Sequence, residues 1–137
     1  KAFFQTKQNF KGKKVLITAG PTYEAIDPVR FIGNHSSGLM GIEIARAFAD
    51  QGADVTLVLG PSNISVNKNN VNVLPVTSAK EMYDAVMAIF PKTDIAILSA
   101  AVADFRPEMV ADQKIKKNPD NDTFTIKLVK TEDILNQ

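Results

Sequence analysis

The sequence lacks cysteine and tryptophan altogether, and its 137 residues include a single histidine, His35. The absence of cysteine excludes disulfide bonds and thiolate metal sites, and it fits a reducing cytoplasm, where we expect the protein to act. One histidine cannot form a histidine metal cluster, so we predict no metal site of that kind. Ser36 and Ser37 follow His35 without an acid placed to complete a catalytic triad, which argues against a nucleophilic serine.

An excess of charge of one sign and long hydrophobic runs are also missing. The 16 Lys and Arg residues nearly balance the 15 Asp and Glu residues, and the formal net charge of +1 does not favour a nucleic-acid-binding surface. No apolar run approaches the roughly 20 residues that a membrane-spanning helix needs. We therefore expect neither nucleic acid nor a membrane among the partners.

The chain divides into a short arm and one domain. Residues 1–12 are mainly polar and are predicted to form a linker or N-terminal arm, with Phe3, Phe4 and Phe10 as packing anchors. Residues 13–137 are enough for one domain with a buried core. Because the first residue is lysine, we expect the chain to be a piece of a longer protein.

A strand and the long loop after it carry the strongest signal. Val15–Ile17 is a short apolar run, typical of a strand buried on both faces. Small residues that include Gly20 follow, and they allow the backbone to approach whatever lies above the strand. About a dozen residues without predicted structure lead to the polar cluster 34–38, whose serine or asparagine is expected to cap a helix. The N–H groups of that helix end favour an anion, so a nucleotide or phosphorylated substrate is the leading hypothesis.

Strands and helices alternate along the rest of the chain. The predicted strands are residues 54–59, 71–76 (with Pro75 marking an end or edge), 94–98 (central, because it is nearly all apolar) and 123–129. The first predicted helix covers residues 37–52 and ends with Gly52 as C-cap; its apolar face is Met40, Ile44, Ala47 and Phe48. The second begins at a cap formed by Thr77 or Ser78 and ends before Pro91; its apolar face is Met82, Ala85, Val86, Ile89 and Phe90. This alternation predicts an α/β, Rossmann-like fold, with helices on both faces of an open parallel sheet in three layers.

Ligands of such sheets bind beyond the carboxyl ends of the strands, so we expect the loop after the first strand to meet residues 99–106. In this region Asp104 is suited to hold a ribose hydroxyl or help bind a metal ion, or else it pairs with Arg106. Asn34 is suited to orient a substrate or stabilise an oxyanion, or else it forms a turn or a cap.

Two clusters of charged residues also have expected roles. Lys114 and Lys116 either neutralise a polyphosphate or form a solvated basic edge. Glu24, Asp27 and Arg30 are interpreted as a salt-bridge set within the loop.

A nicotinamide-dependent Rossmann oxidoreductase is the obvious alternative, and the motifs argue against it. The first turn reads AGPT instead of G-x-G-x-x-G, and the second strand ends in Leu59-Gly60-Pro61 without an acid for the ribose hydroxyls. A Walker A loop is absent as well. From the residues alone, the chain is predicted to bind a phosphate-bearing ligand on an α/β sheet.

Four motifs in order resemble one known family. They are ITAGPT (17–22), IDPVRFIGNHSSGLMG (26–41), AAVADFRP (100–107) and KIKK (114–117). Together they resemble phosphopantothenoylcysteine synthetase, also called phosphopantothenate–cysteine ligase. This is often the C-terminal domain of a bacterial bifunctional coenzyme A biosynthesis protein fused to a flavin-dependent decarboxylase.

The resemblance implies a two-step ligase reaction. The carboxylate of 4′-phosphopantothenate attacks the α-phosphate of CTP in the presence of Mg²⁺, and an acyl-cytidylate and pyrophosphate form. The amine of cysteine then attacks the acyl carbon and releases CMP. The resemblance also implies a homodimer for the intact protein, with FMN only on a fused decarboxylase domain outside this chain. A non-catalytic nucleotide-binding module is the remaining alternative.

The resemblance also assigns roles to individual residues. Asn34 matches an asparagine that turns over the acyl-cytidylate. The nucleotide-binding positions are Leu98, Ser99, Ala100, Asp104, Lys114, Glu132, Asp133, Ile134 and Leu135. The positions suited to phosphate or substrate are Gly20, Ser36, Ser37 and Gly38. Residues 13–137 would be an incomplete ligase domain, truncated at the C-terminus, and we expect the fragment to be a poor or inactive ligase by itself.

Overall fold

The computed structural model describes residues 8–136 of the chain. Its helices and strands are β1 (Lys14–Ala19), β2 (Tyr23–Ala25), β3 (Phe31–Gly33), α1 (Leu39–Asp50), β4 (Asp54–Leu59), β5 (Val71–Pro75), α2 (Ala79–Ile89), β6 (Ile95–Leu98), β7 (Phe105–Pro107) and β8 (Leu128–Lys130). Two of the predicted packing anchors, Phe3 and Phe4, lie outside the described residues. Phe10 packs on Phe48 of α1 with ring centroids 4.8 Å apart, which confirms its structural role.

The main sheet is a parallel one of four strands in the order β5-β4-β1-β6. Alternate residues of β1 point to opposite faces, so Val15 and Ile17 pack in the core beneath α1, while Leu16 packs with Met82 of α2. The helices therefore cover both faces of the sheet. The predicted α/β, Rossmann-like, three-layer fold is confirmed, and the position of Pro75 as the last residue of an edge strand agrees with the sequence.

The prediction that residues 94–98 form a central strand is wrong for the described part of the chain. There β6 pairs only with β1, and Ala96 and Leu98 are exposed. A short apolar run does not determine the number of neighbouring strands, and here it does not mean that both faces are covered.

The loop after β1 was expected to lack structure, and this is also wrong. It contains an antiparallel hairpin, β2–β3, in which the rings of Tyr23 and Phe31 stack with centroids 3.9 Å apart. Strands of three residues are too short to show an alternating pattern in the sequence. The hairpin is attached to α2: Tyr23 donates its N–H to Thr77 O at 2.8 Å, and the buried carboxylate of Glu24 accepts the N–H of Ala79 at 2.8 Å.

The start of α1 differs from the predicted serine or asparagine cap. The N-cap is Gly38, in a left-handed conformation with φ 78° and without a side-chain cap. Ser36 and Ser37 instead accept the N–H groups two residues further on, at 3.2 and 3.3 Å, and so shape the turn before the helix.

The predicted apolar face of α1 is only partly correct. Ile44 and Phe48 are partly buried against the core, as predicted, but Met40 is 64% exposed and Ala47 is exposed as well. The fully buried residues of the helix are instead Gly41, Ile42, Ala45 and Ala49. The helix lies so close to the sheet that a Cβ on Gly41 would be only 2.6 Å from Ser99 Oγ. Small residues are therefore required where the two are closest. Gly52 follows α1 with φ 86°, which agrees with its predicted role at the C-terminus of the helix.

Helix α2 begins as predicted, with Ser78 as N-cap accepting the N–H of Glu81 at 3.2 Å. Met82 and Val86 are buried, but Phe90 is 53% exposed, because the chain leaves the α-helix for a 3₁₀ turn that contains Pro91. The predicted strand at residues 123–129 is wrong in its bounds. Only residues 128–130 form a strand, β8, which pairs antiparallel to β7. The last backbone bond between the two segments runs from Glu108 N–H to Lys127 O.

Glycines let three segments meet above the sheet. A Cβ on Gly60, directly after β4, would collide with the carbonyl oxygen of Pro21, and a Cβ on Gly38 would lie 3.1 Å from Gly20 N. The backbones that follow β1 and β4 therefore touch each other and the start of α1. The predicted close approach at Gly20 is confirmed.

We expect Gly60→Ala to destabilise the fold by about 3 kcal/mol, because the new methyl group overlaps backbone atoms that cannot rotate away. Urea unfolding measures this change. Gly12→Ala is the control: its φ of 78° is strained, but nothing lies within 4 Å, so the cost should be about 1 kcal/mol. Equal losses in the two variants would contradict the proposed collision.

Candidate functional site

Main-chain hydrogen bonds join the loop after β1 to the loop after β6. Ala101 donates its N–H to Gly20 O at 2.8 Å, and Thr22 donates its N–H to Ala101 O at 3.4 Å. Pro21 and Ala101 form an isolated parallel bridge. The convergence expected at the carboxyl ends of the strands is confirmed.

The hydroxyl of Ser99, a predicted nucleotide-binding position, and that of Thr22, which was not predicted to have a role, reinforce this junction. Ser99 donates its hydroxyl to Thr18 O at 2.6 Å, and Thr22 Oγ1 accepts the N–H of Ala103 at 2.9 Å. Both threonines are buried, so these bonds lie away from solvent competition. The sequence does place a threonine on each side of the glycine turn, Thr18 and Thr22, and this pattern could have indicated the hydrogen bonds.

Asn34 lies at the end of hairpin β2–β3 and holds the β6 loop. Its Nδ2 donates to Val102 O at 3.0 Å and to Ala101 O at 3.3 Å. Carbonyl oxygens only accept, so the amide nitrogen must face the loop and Oδ1 must point away from it. The atom that Asn34 can offer to a ligand is therefore an acceptor, which suits the predicted role of orienting a substrate better than that of donating to an oxyanion.

A cavity of about 580 Å³ opens beside this junction. It is lined by Ala100, Val102, Asp104, Phe105, Lys130, Thr131, Glu132, Asp133, Ile134 and Leu135. Six of the nine positions predicted to bind a nucleotide are in this lining, although they come from two segments separated by the β7–β8 hairpin.

Thr131 holds the two walls of the cavity together. Its hydroxyl donates to Ala103 O at 2.6 Å, and its N–H donates to Asp104 O at 2.9 Å. Asp104 is exposed, and the ion pairs of residues 8–136 do not include the alternative pairing with Arg106. Arg106 instead donates weakly to Pro107 O at 3.4 Å.

The remaining predicted site residues lie outside this cavity. Leu98 lines a neighbouring apolar cavity of about 320 Å³, together with Ile134 and Leu135. The hydroxyl of Ser99 is engaged within the junction, and Lys114 belongs to a separate segment that is bonded to the hairpin turn. Gly20, Ser36, Ser37 and Gly38 cluster at the start of α1, where Ser62 donates its hydroxyl to Ser37 O at 2.7 Å.

The expected salt-bridge set is only partly correct, since Glu24 binds the end of α2 and only Asp27 pairs with Arg30. Asp27 is 2% exposed, and its Oδ2 accepts Arg30 Nε at 3.0 Å and Arg30 Nη2 at 2.5 Å. The Arg30 guanidinium, with help from the N–H groups of Ile115, Val29 and Arg30, holds the pKa of the Asp27 carboxyl well below its usual range, against the opposing effect of burial.

In residues 8–136, no group of three or more His, Cys, Asp or Glu side chains is placed to hold a metal ion. No helix in the same range is long and apolar enough to cross a membrane.

Fold and site together define a Rossmann-like α/β protein whose polar loops converge where such sheets bind ligands. The chain belongs to the family described as the DNA/pantothenate metabolism flavoprotein C-terminal domain, whose model matches residues 10–137. This match confirms the resemblance to the C-terminal domain of the bacterial coenzyme A biosynthesis protein.

Individual relatives agree with the family. The chain is 57% identical over 133 residues to the coenzyme A biosynthesis bifunctional protein CoaBC of Vibrio parahaemolyticus, covering 97% of this chain and 33% of that protein. It is 49% identical over 124 residues to CoaBC of Mycobacterium tuberculosis, covering 90% and 29%. A crystal structure of a CoaBC C-terminal domain is 43% identical with a TM-score of 0.77, covering 92% of this chain and 57% of that one. The chain thus spans about a third of the curated relatives that it matches.

The buried Asp27 carboxylate should make stability depend on acidic pH. Because its folded-state pKa is lowered, this group stabilises the fold fully above the unfolded-state pKa near 4, and the stabilisation is lost as the pH falls below that value. We expect urea midpoints between pH 5 and pH 2 to fall less steeply for Asp27→Asn than for the wild type. Parallel pH profiles would contradict this assignment.

Proposed function

We propose that the chain is part of an enzyme of coenzyme A biosynthesis that joins 4′-phosphopantothenate to cysteine and uses CTP to activate the carboxylate. The cavity beside the Asn34 junction is the observation that carries the proposal. It gathers most of the positions that the family resemblance assigns to the nucleotide, from segments about 30 residues apart in the sequence. The names of the relatives support the pathway.

In the first step the substrate carboxylate attacks the α-phosphorus of CTP, a bond to pyrophosphate breaks, and an acyl-cytidylate forms. A carboxylate cannot expel oxide, so this activation is required before an amide can be made. The cavity between Asp104 and the segment 132–135 is proposed to hold the cytidine and ribose. Mg²⁺ prefers oxygen ligands and commonly binds through one or two carboxylates and substrate phosphates, and the lining carboxylates of Asp104 and Glu132 would supply them. When bound, the ion would neutralise phosphate charge.

In the second step the amine of cysteine attacks the acyl carbon, the amide forms, and CMP leaves. Asn34 Oδ1 is free to accept a hydrogen bond from that amine, because Nδ2 is held by the carbonyl groups of Ala101 and Val102. Asn34 is thus proposed to orient the nucleophile beside the activated acyl group, where correct placement lowers the barrier.

Gly20, Ser36, Ser37 and Gly38 are proposed to receive a phosphate group at the start of α1. Gly38 is left-handed, and no side chain caps this end of the helix. Because Gly38 lacks a Cβ, the helix end can approach the backbone of Gly20. Helix N-termini favour anions through their N–H groups and dipole.

The intact protein is proposed to be a cytoplasmic homodimer with FMN on a fused decarboxylase domain. Exposed apolar side chains support the dimer: of the thirteen large exposed ones among residues 8–136, seven lie on the two hairpins and the chain between β7 and β8, namely Val29, Phe31, Phe105, Met109, Val110, Phe124 and Leu128. Such concentrations are typical of interfaces. The relatives are named bifunctional, which supports the fusion.

The ligase assignment is tested with the full-length protein, 4′-phosphopantothenate, cysteine, Mg²⁺ and either CTP or ATP. We expect CMP only when phosphopantothenate is present, and amide after cysteine is added. Asn34→Asp should slow amide formation about a hundredfold and accumulate acyl-cytidylate, because a carboxylate cannot donate to the carbonyl groups that hold residue 34. Quenched-flow sampling with mass detection separates the two steps.

Asn72→Asp is the matched control, since Asn72 lies exposed on edge strand β5, and it should leave both steps unchanged. If CTP binds but no CMP forms, the chain is a nucleotide-binding module and not a ligase. If a nicotinamide cofactor binds and CTP does not, the oxidoreductase alternative is correct.

Thr131→Val tests the cavity. Removing the hydroxyl leaves Ala103 O without its partner and loosens the two walls, so the Kd for CTP should rise about tenfold. Thr123→Val is the control, because within the part of the chain that the structure describes its hydroxyl bonds only to the neighbouring Asn121. Calorimetric titration of CTP measures both, and equal affinities would place the nucleotide elsewhere.

A further inference from the structure

A buried carboxylate in the hairpin turn reaches a segment 88 residues away. Asp27 Oδ1 accepts the N–H groups of Val29 and Arg30, each at 2.8 Å, and these two bonds close the turn between β2 and β3. Oδ2 serves a different purpose, since it accepts Arg30 and also the N–H of Ile115 at 3.1 Å. The two oxygens of one carboxylate thus have separate structural tasks.

Ile115 is held on both sides by the same ion pair. Its N–H binds Asp27, and its carbonyl oxygen accepts Arg30 Nη2 at 2.8 Å. A third bond, from Ala111 N–H to Ile26 O at 3.0 Å, attaches the chain a few residues earlier. Within a stretch that forms neither helix nor strand, these bonds define where the backbone runs.

Lysines flank the anchored residue. Lys114, Lys116 and Lys117 are exposed, whereas the side chain of Ile115 is half-buried and lines a cavity of about 320 Å³. Anchoring Ile115 therefore orders the backbone of a cationic segment while its ammonium groups face solvent. The same hairpin ends in Asn34, so one turn is the reference point for both the lysines and the asparagine.

We propose that Asp27 is a positioning residue that holds the segment Lys114–Lys117 in register with Asn34, so that its ammonium groups meet the anionic substrate already ordered. The anchoring itself is independent of the reaction, whereas its effect on CTP rests on the proposed function. Ordering long cationic side chains before binding reduces the entropy lost when the anion arrives.

Asp27→Asn separates this role from simple stabilisation of the turn. The asparagine keeps an acceptor for the N–H groups of Val29 and Arg30, but its NH₂ group faces the donors of Arg30 and Ile115. The bond to the N–H of Ile115 and the ion pair with Arg30 are therefore lost, while the two bonds that close the turn are kept. Ile115→Pro removes the same N–H from the other side without changing Asp27, and it serves where Asp27→Asn fails to fold.

The first readout is tryptic cleavage of the full-length protein after Lys114, Lys116 and Lys117. We expect about tenfold faster cleavage after all three lysines in Asp27→Asn, as for the loss of one charge-assisted hydrogen bond, with other sites unchanged. In Ile115→Pro the same acceleration is expected after Lys116 and Lys117 only, because trypsin does not cleave a Lys–Pro bond. Glu108→Gln is the control: it breaks the exposed pair with Lys127 near the same segment and should leave cleavage unchanged. Unchanged cleavage in both test variants overturns the anchoring.

The second readout is a double-mutant cycle on CTP affinity. Asp27→Asn alone should raise the Kd for CTP about tenfold with little change in kcat, and it should have no further effect in a Lys114→Ala/Lys116→Ala background. Additive effects overturn the coupling through the lysines. If the wild type does not bind CTP but cleavage still accelerates, the proposed function fails and the anchoring stands.

Discussion

Close contact between backbones at the carboxyl ends of β1 and β4 is the constraint on which the rest of the structure depends. Gly60 lies so near Pro21 that no side chain fits between them, and the left-handed Gly38 lies against Gly20. This contact directs the chain after β1 sideways into the hairpin and brings the start of α1 over the sheet. The loops that carry most of the proposed site residues start from this contact. We therefore regard the glycines that allow it as the main determinant of where the site lies.

Most of the sheet could be predicted because its signals are local. The apolar run of β1, the Ser78 cap and the glycine after α1 each reflect interactions within a few residues, and all were correct. The errors have a different origin. The hairpin β2–β3 is stabilised by a ring stack and by Glu24, whose partner is 55 residues away, and no window of sequence contains both.

The site shows the same division between local and distant information. Family motifs grouped Asp104 with residues 132–135, and the cavity lining contains them. The motifs could not reveal that Asn34 has its nitrogen engaged, because that follows from which carbonyl groups it faces. The ITAGPT motif contains Thr18 and Thr22 but does not indicate which groups their hydroxyls bind, and Thr131 lies outside the four motifs. Their hydroxyls bond to the backbone of Ala100 and Ala103 only once the loop after β6 lies between the loop after β1 and the chain after β8.

The carboxylate of Glu24 at the first N–H of α2 has a mechanical consequence. The hairpin and the helix share a hydrogen bond in a buried position, and a second bond joins Tyr23 to Thr77, so the hairpin is attached to the start of α2. The same hairpin ends at Asn34. We therefore expect a displacement of α2, which packs on the opposite face of the sheet from α1, to move Asn34 and, through its amide, the loop of Ala101 and Val102.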